Sequence, residues 1–347
     1  MTMERLNESL SAGSKVLRFA YEHYVLGRPY PLSVTLNVTT ACNLSCSYCD
    51  IHSGKRKEPP TDDLVKLIRA LGDHTVHWNL TGGEPTLRKD LDVIVDAIKD
   101  LPDPTYLTMF SNGKGLRRKK HLVRRLDEVF LSLDGSRTFH DRTRGKGAFD
   151  AAMDAMDVLA GMGKAYSATC VISKGSEREL DFVFDLALKK GIKVGFIPVR
   201  IYSRSSEMIE ELEPTPGEMH RVIERVRRFP LTSNSPAGLD ILARWPHEPR
   251  FSKPCKGGTT FFTLEADGRL YRCCERRPEH KLPDPVDPER VMEWVRNIPR
   301  EPCYGCWNIE GQELNMMFHL QPRAMLNLIR SARISLAMRR GAPLRPA

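Results

Sequence analysis

The sequence predicts an α/β protein built on a parallel sheet. Three observations lead there: strand-like runs of period two alternate strictly with helical runs, several of the helical runs close at Gly or before Pro, and 347 residues with 41% hydrophobic side chains supply a core for one large domain plus an appendage. Strands are expected near 33–39 (SVTLNVT), 75–81, 105–110, 128–133, 166–172 and 193–199, with helices near 61–71, 89–99, 116–126, 147–161 and 177–190. Six βα units in a row imply right-handed crossovers in an open doubly wound sheet or a full or partial (β/α) barrel. In either architecture, functional residues belong at the C-terminal ends of the strands and in the loops that follow.

From about Pro214 the pattern changes. A helix near 215–228 leads into FPLTSNSPAG, and after Pro254 the runs TTFFTLE and RLYRC face each other across Asp267-Gly268, a strong hairpin signal. The expected organisation is an N-terminal helical lead-in over 1–30, the βα repeats over 31–230, a smaller α+β module over 231–310 and a basic amphipathic tail over 311–347.

Composition narrows the function classes. Charged residues make up 28% and aromatic residues 7%, the balance of a folded chain rather than a disordered one. The formal charge is +9, from 53 Lys and Arg against 44 Asp and Glu, so acidic or membrane-surface partners enter consideration. Nine cysteines, an odd number, exclude a fully paired disulfide framework and favour metal or redox chemistry. Met1 to Ser14 carries charges and no apolar signal core, and nowhere do eighteen apolar residues run together, so a cytoplasmic address is expected.

Seven of the cysteines form two constellations. Cys42, Cys46 and Cys49 follow the first strand with Cx3Cx2C spacing. Three thiolates within eight residues can converge on one iron–sulfur cube, one ligand short of closing it, which leaves an iron open. Cys255, Cys273, Cys303 and Cys306 form the second set, in a Cx12Gx4C then Cx2C arrangement whose hairpin brings strand-end thiols together.

The first loop resembles that of the radical S-adenosylmethionine (SAM) superfamily, with Tyr48 as the aromatic residue before its last Cys. Gly82-Gly83-Glu84-Pro85 is similar to the family's GGEP segment after the second strand, which receives the SAM amino group. Ser111-Asn112-Gly113 and Ser132-Leu133-Asp134-Gly135 are similar to strand-end segments lining the SAM site, and His140 to Gly145 to the HDxxRG stretch. On this resemblance Tyr48, Gly82, Gly83, Glu84, Ser111, Asn112, Ser132 and Asp134 contact SAM, and Arg144 is a candidate partner for its carboxylate. The second cysteine set resembles the twitch module, a shortened SPASM domain. The resemblance therefore implies a partial (β/α)6 TIM-type barrel with a C-terminal twitch module, a SAM-binding [4Fe–4S] cluster on Cys42, Cys46 and Cys49, and one auxiliary [4Fe–4S] cluster on Cys255, Cys273, Cys303 and Cys306.

Blander readings stand beside these. Either cysteine set could hold zinc, making a metal-stabilised binding protein. Ser111, Ser132 and Asp134 belong to residue types common in loops after strands. Cys170, in the fifth strand, reads as a small buried hydrophobe, and His74, His77 and Trp78 lack ligand spacing. Cys274 adjoins Cys273 as an alternative ligand, although the spacing to Gly268 favours Cys273. Asp134, Arg200, Tyr202 and Glu275 are candidates for a base that sequence alone does not place.

The activity implied by the resemblance is reductive cleavage of SAM by an electron from a flavodoxin- or ferredoxin-type donor. The 5′-deoxyadenosyl radical then abstracts a hydrogen from substrate. About 30 residues precede the first strand, too few for a leader-binding domain, which favours a small-molecule or lipid intermediate as substrate, with a peptide-modifying maturase as the alternative. From Pro322 to Ala347 there are six Arg and no acidic residue, with aliphatic residues interleaved. This tail reads either as a helix packed on the barrel with a solvated basic face or as a surface-lying helix on anionic lipid. No nucleic-acid partner is expected, because the basic run lacks aromatic platforms.

Overall fold

The computed structural model describes residues 14–49, 51, 58–103, 105–199, 210–247, 253–273, 287–298, 302–327 and 329–330. Arg200, Tyr202, Cys274, Glu275 and the tail beyond 330 lie outside the described residues.

Helix α1, over 14–20, widens into a π-type turn at Tyr21–Val25 and feeds β1 (Ser33–Thr39). The repeats follow as α2 (Thr61–Gly72), β2 (His77–Gly82), α3 (Leu91–Lys99), β3 (Tyr106–Ser111), α4 (Lys120–Val123), β4 (Glu128–Ser132), α5 (Arg137–Arg144), α6 (Ala148–Gly161), β5 (Ala165–Ile172), α7 (Leu180–Lys190) and β6 (Val194–Pro198). Next come α8 (Pro216–Arg228), α9 (Pro236–Leu242), β7 (Phe261–Leu264), β8 (Leu270–Tyr271), α10 (Val291–Asn297) and α11 (Ile309–Phe318). The sheet order is β6-β5-β4-β3-β2-β1-β7-β8, with every pairing parallel except the β7–β8 hairpin. This is a partial TIM-type barrel of six βα units. The C-terminal hairpin continues its sheet beyond β1, with Val34 opposite Phe262 and Leu36 opposite Leu264.

Alternation along each strand separates two faces. Val34, Leu36, Trp78, Leu80, Leu107, Met109, Val129 and Leu131 are fully buried within the main core, together with Leu64, Ile68, Ile94 and Ile98 of α2 and α3. Each such aliphatic side chain contributes about 1.5–3 kcal/mol through burial. Polar side chains occupy the other positions: Ser33 and Thr35 in β1, His77 and Asn79 in β2, Thr108 in β3 and Glu128 in β4. In parallel sheets covered on both faces, strands read as near-continuous apolar runs. Here the polar face lines the barrel interior instead, and a second, smaller core joins Phe19, Tyr30 and Leu32 to Phe261 and Phe318 beside the hairpin.

Candidate active site

The first cysteine loop begins where the β1–β2 register shifts between Asn37 and Thr39, an irregularity that turns the chain out of the strand. Gly82 and Gly83 are needed at that junction. A Cβ at Gly82, whose φ is +133°, would lie 2.3 Å from the Thr39 carbonyl oxygen, and one at Gly83 would lie 2.1 Å from that of Ala41. The close approach lets Gly83 N donate to Thr39 O and Glu84 N to Ala41 O, each at 2.8 Å, stitching the end of β2 to the entry of the cysteine loop.

Glu84 is fully buried and gathers four donors. Oε1 accepts from Thr86 N (3.2 Å), Thr86 Oγ1 (2.7 Å) and Ser111 Oγ (2.9 Å), while Oε2 accepts from Asn112 N (2.8 Å). Burial pushes this carboxyl up against the pull of those donors. Glu84 thus ties β2 to β3, and Oε2, with a single donor, retains capacity to accept another. Asn112 extends the link, its Nδ2 donating to Asn43 Oδ1 in the cysteine loop at 2.9 Å.

Asp134 gathers the other side of the site. Its carboxylate accepts from Tyr48 OH (2.6 Å), from Arg144 Nε (2.7 Å) and Nη2 (2.9 Å), from Thr143 Oγ1 (3.3 Å) and from Val171 N (3.1 Å). Burial alone would raise the Asp134 carboxyl; the Arg144 charge and these hydrogen bonds outweigh it and hold it below the usual range. Its backbone N–H donates to His140 Nδ1 at 3.0 Å, and burial pushes that imidazole down to about 4. The Arg144 fork therefore lies on Asp134, with only Nη1 uncommitted to it, and the guanidinium also sits 5.5 Å from the Tyr48 ring centre. Ser47 N donates to Thr143 O at 2.8 Å, so the cysteine loop is moored to α5 as well as to β2 and β3. Ser132 ends β4 half-buried, opposite Thr169.

Cys42, Cys46 and Cys49 are half-buried in this loop, and burial pushes the Cys46 thiol up to about 11 against the pull of Arg144. In the second set, Cys255 N donates to Cys303 O at 2.6 Å, and a Cβ at Gly257 would lie 3.4 Å from Cys273 Cβ. Gln312 Nε2, fully buried in α11, donates to Cys306 Sγ at 3.0 Å, and Gly257 N donates to Cys255 Sγ at 3.3 Å. Among the described residues, no three His, Cys, Asp or Glu side chains are gathered closely enough to hold a metal ion as they stand. The donor chemistry nevertheless fits iron–sulfur clusters: soft thiols, with N–H groups aimed at two sulfurs of the second set, as thiolates require.

Below the strand ends lies a cavity of 390 Å³ inside the barrel. Thr35, Asn79, Thr108, Phe110, Phe130 and Thr169 line its middle, Ser33, His77, Glu128 and Lys193 its lower part, and Glu310 and Glu313 of α11 close one side. Its polar groups are held in place. His77 contacts Ser33 Oγ (3.0 Å) and Thr108 Oγ1 (3.1 Å), Thr108 donates to Asn79 Oδ1 (3.0 Å), and Glu128 accepts from Tyr106 OH (3.0 Å) and Ser167 Oγ (2.5 Å). Motif reading set His77 aside and missed the others. The signal was available as polar residues at alternate positions of parallel strands.

A model of the radical SAM superfamily matches residues 36–201. Mycofactocin maturase MftC of Mycolicibacterium smegmatis is 29% identical over 218 residues, 58% of this chain and 53% of that protein. Sporulation killing factor maturation protein SkfB of Bacillus subtilis is 28% identical over 351 residues, 93% of this chain and 83% of that protein. The chain therefore spans about half the length of MftC and most of SkfB. The solved structure of anSMEcpe with bound AdoMet and Cp18Cys peptide superposes with a TM-score of 0.63 over 77% of this chain and 80% of that one; at 18% identity this is a likeness of fold.

Proposed function

We propose that this chain, which belongs to the radical SAM superfamily, is a maturase that modifies a peptide by hydrogen abstraction. The relatives named as maturation proteins weigh toward the peptide reading, which the sequence ranked behind a small molecule or lipid. The observation that carries it is the likeness to relatives named as maturation proteins, one of them matched over 93% of this chain. The barrel interior has room for a peptide side chain, with Asn79, Thr108 and Glu128 set among the apolar Phe110, Phe130 and Ile197.

Cys42, Cys46 and Cys49 would hold a SAM-binding [4Fe–4S] cluster, and Cys255, Cys273, Cys303 and Cys306 an auxiliary one. When bound and reduced by an external donor of flavodoxin or ferredoxin type, the first cluster supplies the electron that cleaves SAM to methionine and a 5′-deoxyadenosyl radical. The chain's own residues position and enclose the reactants. Asp134 and Arg144 brace Tyr48 and the loop, Glu84 and Asn112 fix the facing strand ends, and the barrel wall keeps water from the radical. Asn79 and Thr108 would hold the substrate beneath the strand ends.

The test is anaerobic reconstitution followed by reduction with SAM, alone and with candidate peptides encoded beside the gene. Expected are about eight irons per chain, 5′-deoxyadenosine, and a mass change in one peptide. Asn79→Leu should raise the peptide KM by about tenfold and leave peptide-independent SAM cleavage unchanged. Turnover of a non-peptide metabolite with no peptide modified would overturn the maturase reading while leaving the superfamily chemistry standing.

A further inference from the structure

The segment that carries Cys42, Cys46 and Cys49 is fastened on a second side, by Arg88. This residue follows the turn Pro85–Leu87 that Glu84 caps, and its side chain is 2% exposed. The guanidinium sends its donors in three directions. Nε and Nη2 meet the two oxygens of Asp90 at 2.9 and 3.1 Å, a bidentate fork, while Nη1 donates to Val38 O at 2.6 Å and stands 3.8 Å from Glu58 Oε2. Val38 is the residue skipped by the β1–β2 register, which passes from Asn37 opposite Thr81 to Thr39 opposite Gly82. Arg88 therefore takes the carbonyl of the residue that the ladder passes over, at the point where β1 turns out toward the cysteines.

The other end of the segment closes on the same group. Glu58, downstream of Cys49, pairs with Arg88 through Oε2 and accepts from Thr39 Oγ1 through Oε1, and that hydroxyl accepts from Ala41 N at 3.0 Å. Asp90 in turn accepts from the hydroxyl of Thr61, the first residue of α2. Entry at Val38 to Ala41 and exit at Glu58 to Thr61 thus meet on one guanidinium and two carboxylates. A lysine in place of Arg88 would supply the charge but not the fork and the carbonyl bond together.

We propose that Arg88 is a positioning residue for the first cluster: by joining Val38, Glu58 and Asp90 it latches the entry of the cysteine segment to its exit, so that the three thiols sit on a closed loop. Closing the loop in the folded chain removes part of the ordering cost that the cluster's ligands would otherwise meet on binding. Glu84 and Arg88 flank one turn, so the latch and the carboxylate that ties β2 to β3 are held by the same few residues. The proposal rests on the assignment of that cluster to Cys42, Cys46 and Cys49, and not on the identity of the substrate.

Iron release from the reconstituted full chain to a chelator tests this, the iron that a Cys42/Cys46/Cys49→Ala chain lacks being counted as the first set. Arg88→Lys should release that iron about tenfold faster than the parent, and the iron of the second set no faster. Glu58→Gln, at a side chain 38% exposed and so less bound up with the fold, should speed first-set release roughly threefold. The double variant should be no faster than Arg88→Lys alone, because the two groups act through one contact. Hydrogen exchange of the same chains should rise over residues 39–49 and stay level in α7. Arg117→Lys, in the exposed pair with Asp154, should match the parent throughout. First-set release at the parent rate in both single variants, or equal acceleration of the two sets in both, would overturn the proposal while leaving the cluster assignment in place. A parent chain holding no iron beyond that of the triple variant would overturn the assignment and the latch together.

Discussion

Asp134 is 1% exposed and charged, a combination the fold sustains because the Arg144 fork, one phenol, one hydroxyl and one backbone N–H all point at its two oxygens. Asp134→Asn keeps the shape and removes the charge, leaving Arg144 buried without its partner, so a loss of about 3–5 kcal/mol is expected in chemical denaturation. The pH dependence separates Asp134 from its neighbour His140. The carboxyl is depressed in the folded chain, so its contribution is fully present above about pH 4, the unfolded value, and is lost as pH falls through the folded one. His140 titrates at about 4 when folded and near the ordinary 6.5 when unfolded. The unfolded chain therefore takes up a proton that the folded one refuses, and stability drains as pH falls from about 6.5 to about 4, by roughly 3 kcal/mol in all. Urea melts across that window should show a shallower slope for His140→Gln than for the parent; equal slopes would sink the assignment.

Between elements, the decisive contact is that of the β2 end with the cysteine loop. The Cβ of Gly83→Ala would meet backbone rather than a yielding side chain, so the loop or the strand end must move. The expected outcome is loss of the first cluster with the second retained, about four irons per chain instead of about eight, in a protein whose far-ultraviolet dichroism is unchanged. Full iron loading of this variant would show that the stitch does not set the loop. The glycines and the six strands of the barrel were legible because each is written locally, as a motif or a period of two. Helix α5 was not, since RTFHDRTR carries one large apolar residue, Phe139, and buries His140, Thr143 and Arg144 beside it, so its inner side shows no apolar stripe. With α5 unseen, the ten-residue return that lays Arg144 on Asp134 was hidden too, and Arg144 read as a free fork for a carboxylate ligand. The lumen went unread for a different reason: threonines and asparagines inside strands look like solvent-facing positions until the sheet is known to curl around them.

Across the whole molecule, the cysteine-bearing C-terminal region is not hung from the barrel by a linker. β7 pairs in parallel with β1 over four residues, making β1 an interior strand, and Leu264, Leu270, Val291, Val295, Ile309 and Met316 belong to the same core as Leu36 and Leu80. A pairing between residues more than two hundred positions apart leaves no trace in local sequence, which is why a boundary near 230 was the natural expectation from composition. Shared strands and a shared core couple the two regions energetically, because unfolding the hairpin would expose both the β1 edge and the apolar residues beneath it. The apo protein, kept reduced with chelator so that clusters do not add their own transitions, should therefore unfold in one calorimetric step with equal calorimetric and van't Hoff enthalpies. A chain ended at Lys253 should not survive as a monomer. Its β1 would present unpaired N–H and C=O groups from Val34 to Leu36 beside an opened core, and size-exclusion chromatography should find it aggregated. Two resolved transitions in the full chain, or a monomeric and cooperatively folded 1–253 fragment, would show instead that the barrel stands alone and that the hairpin merely docks on its edge.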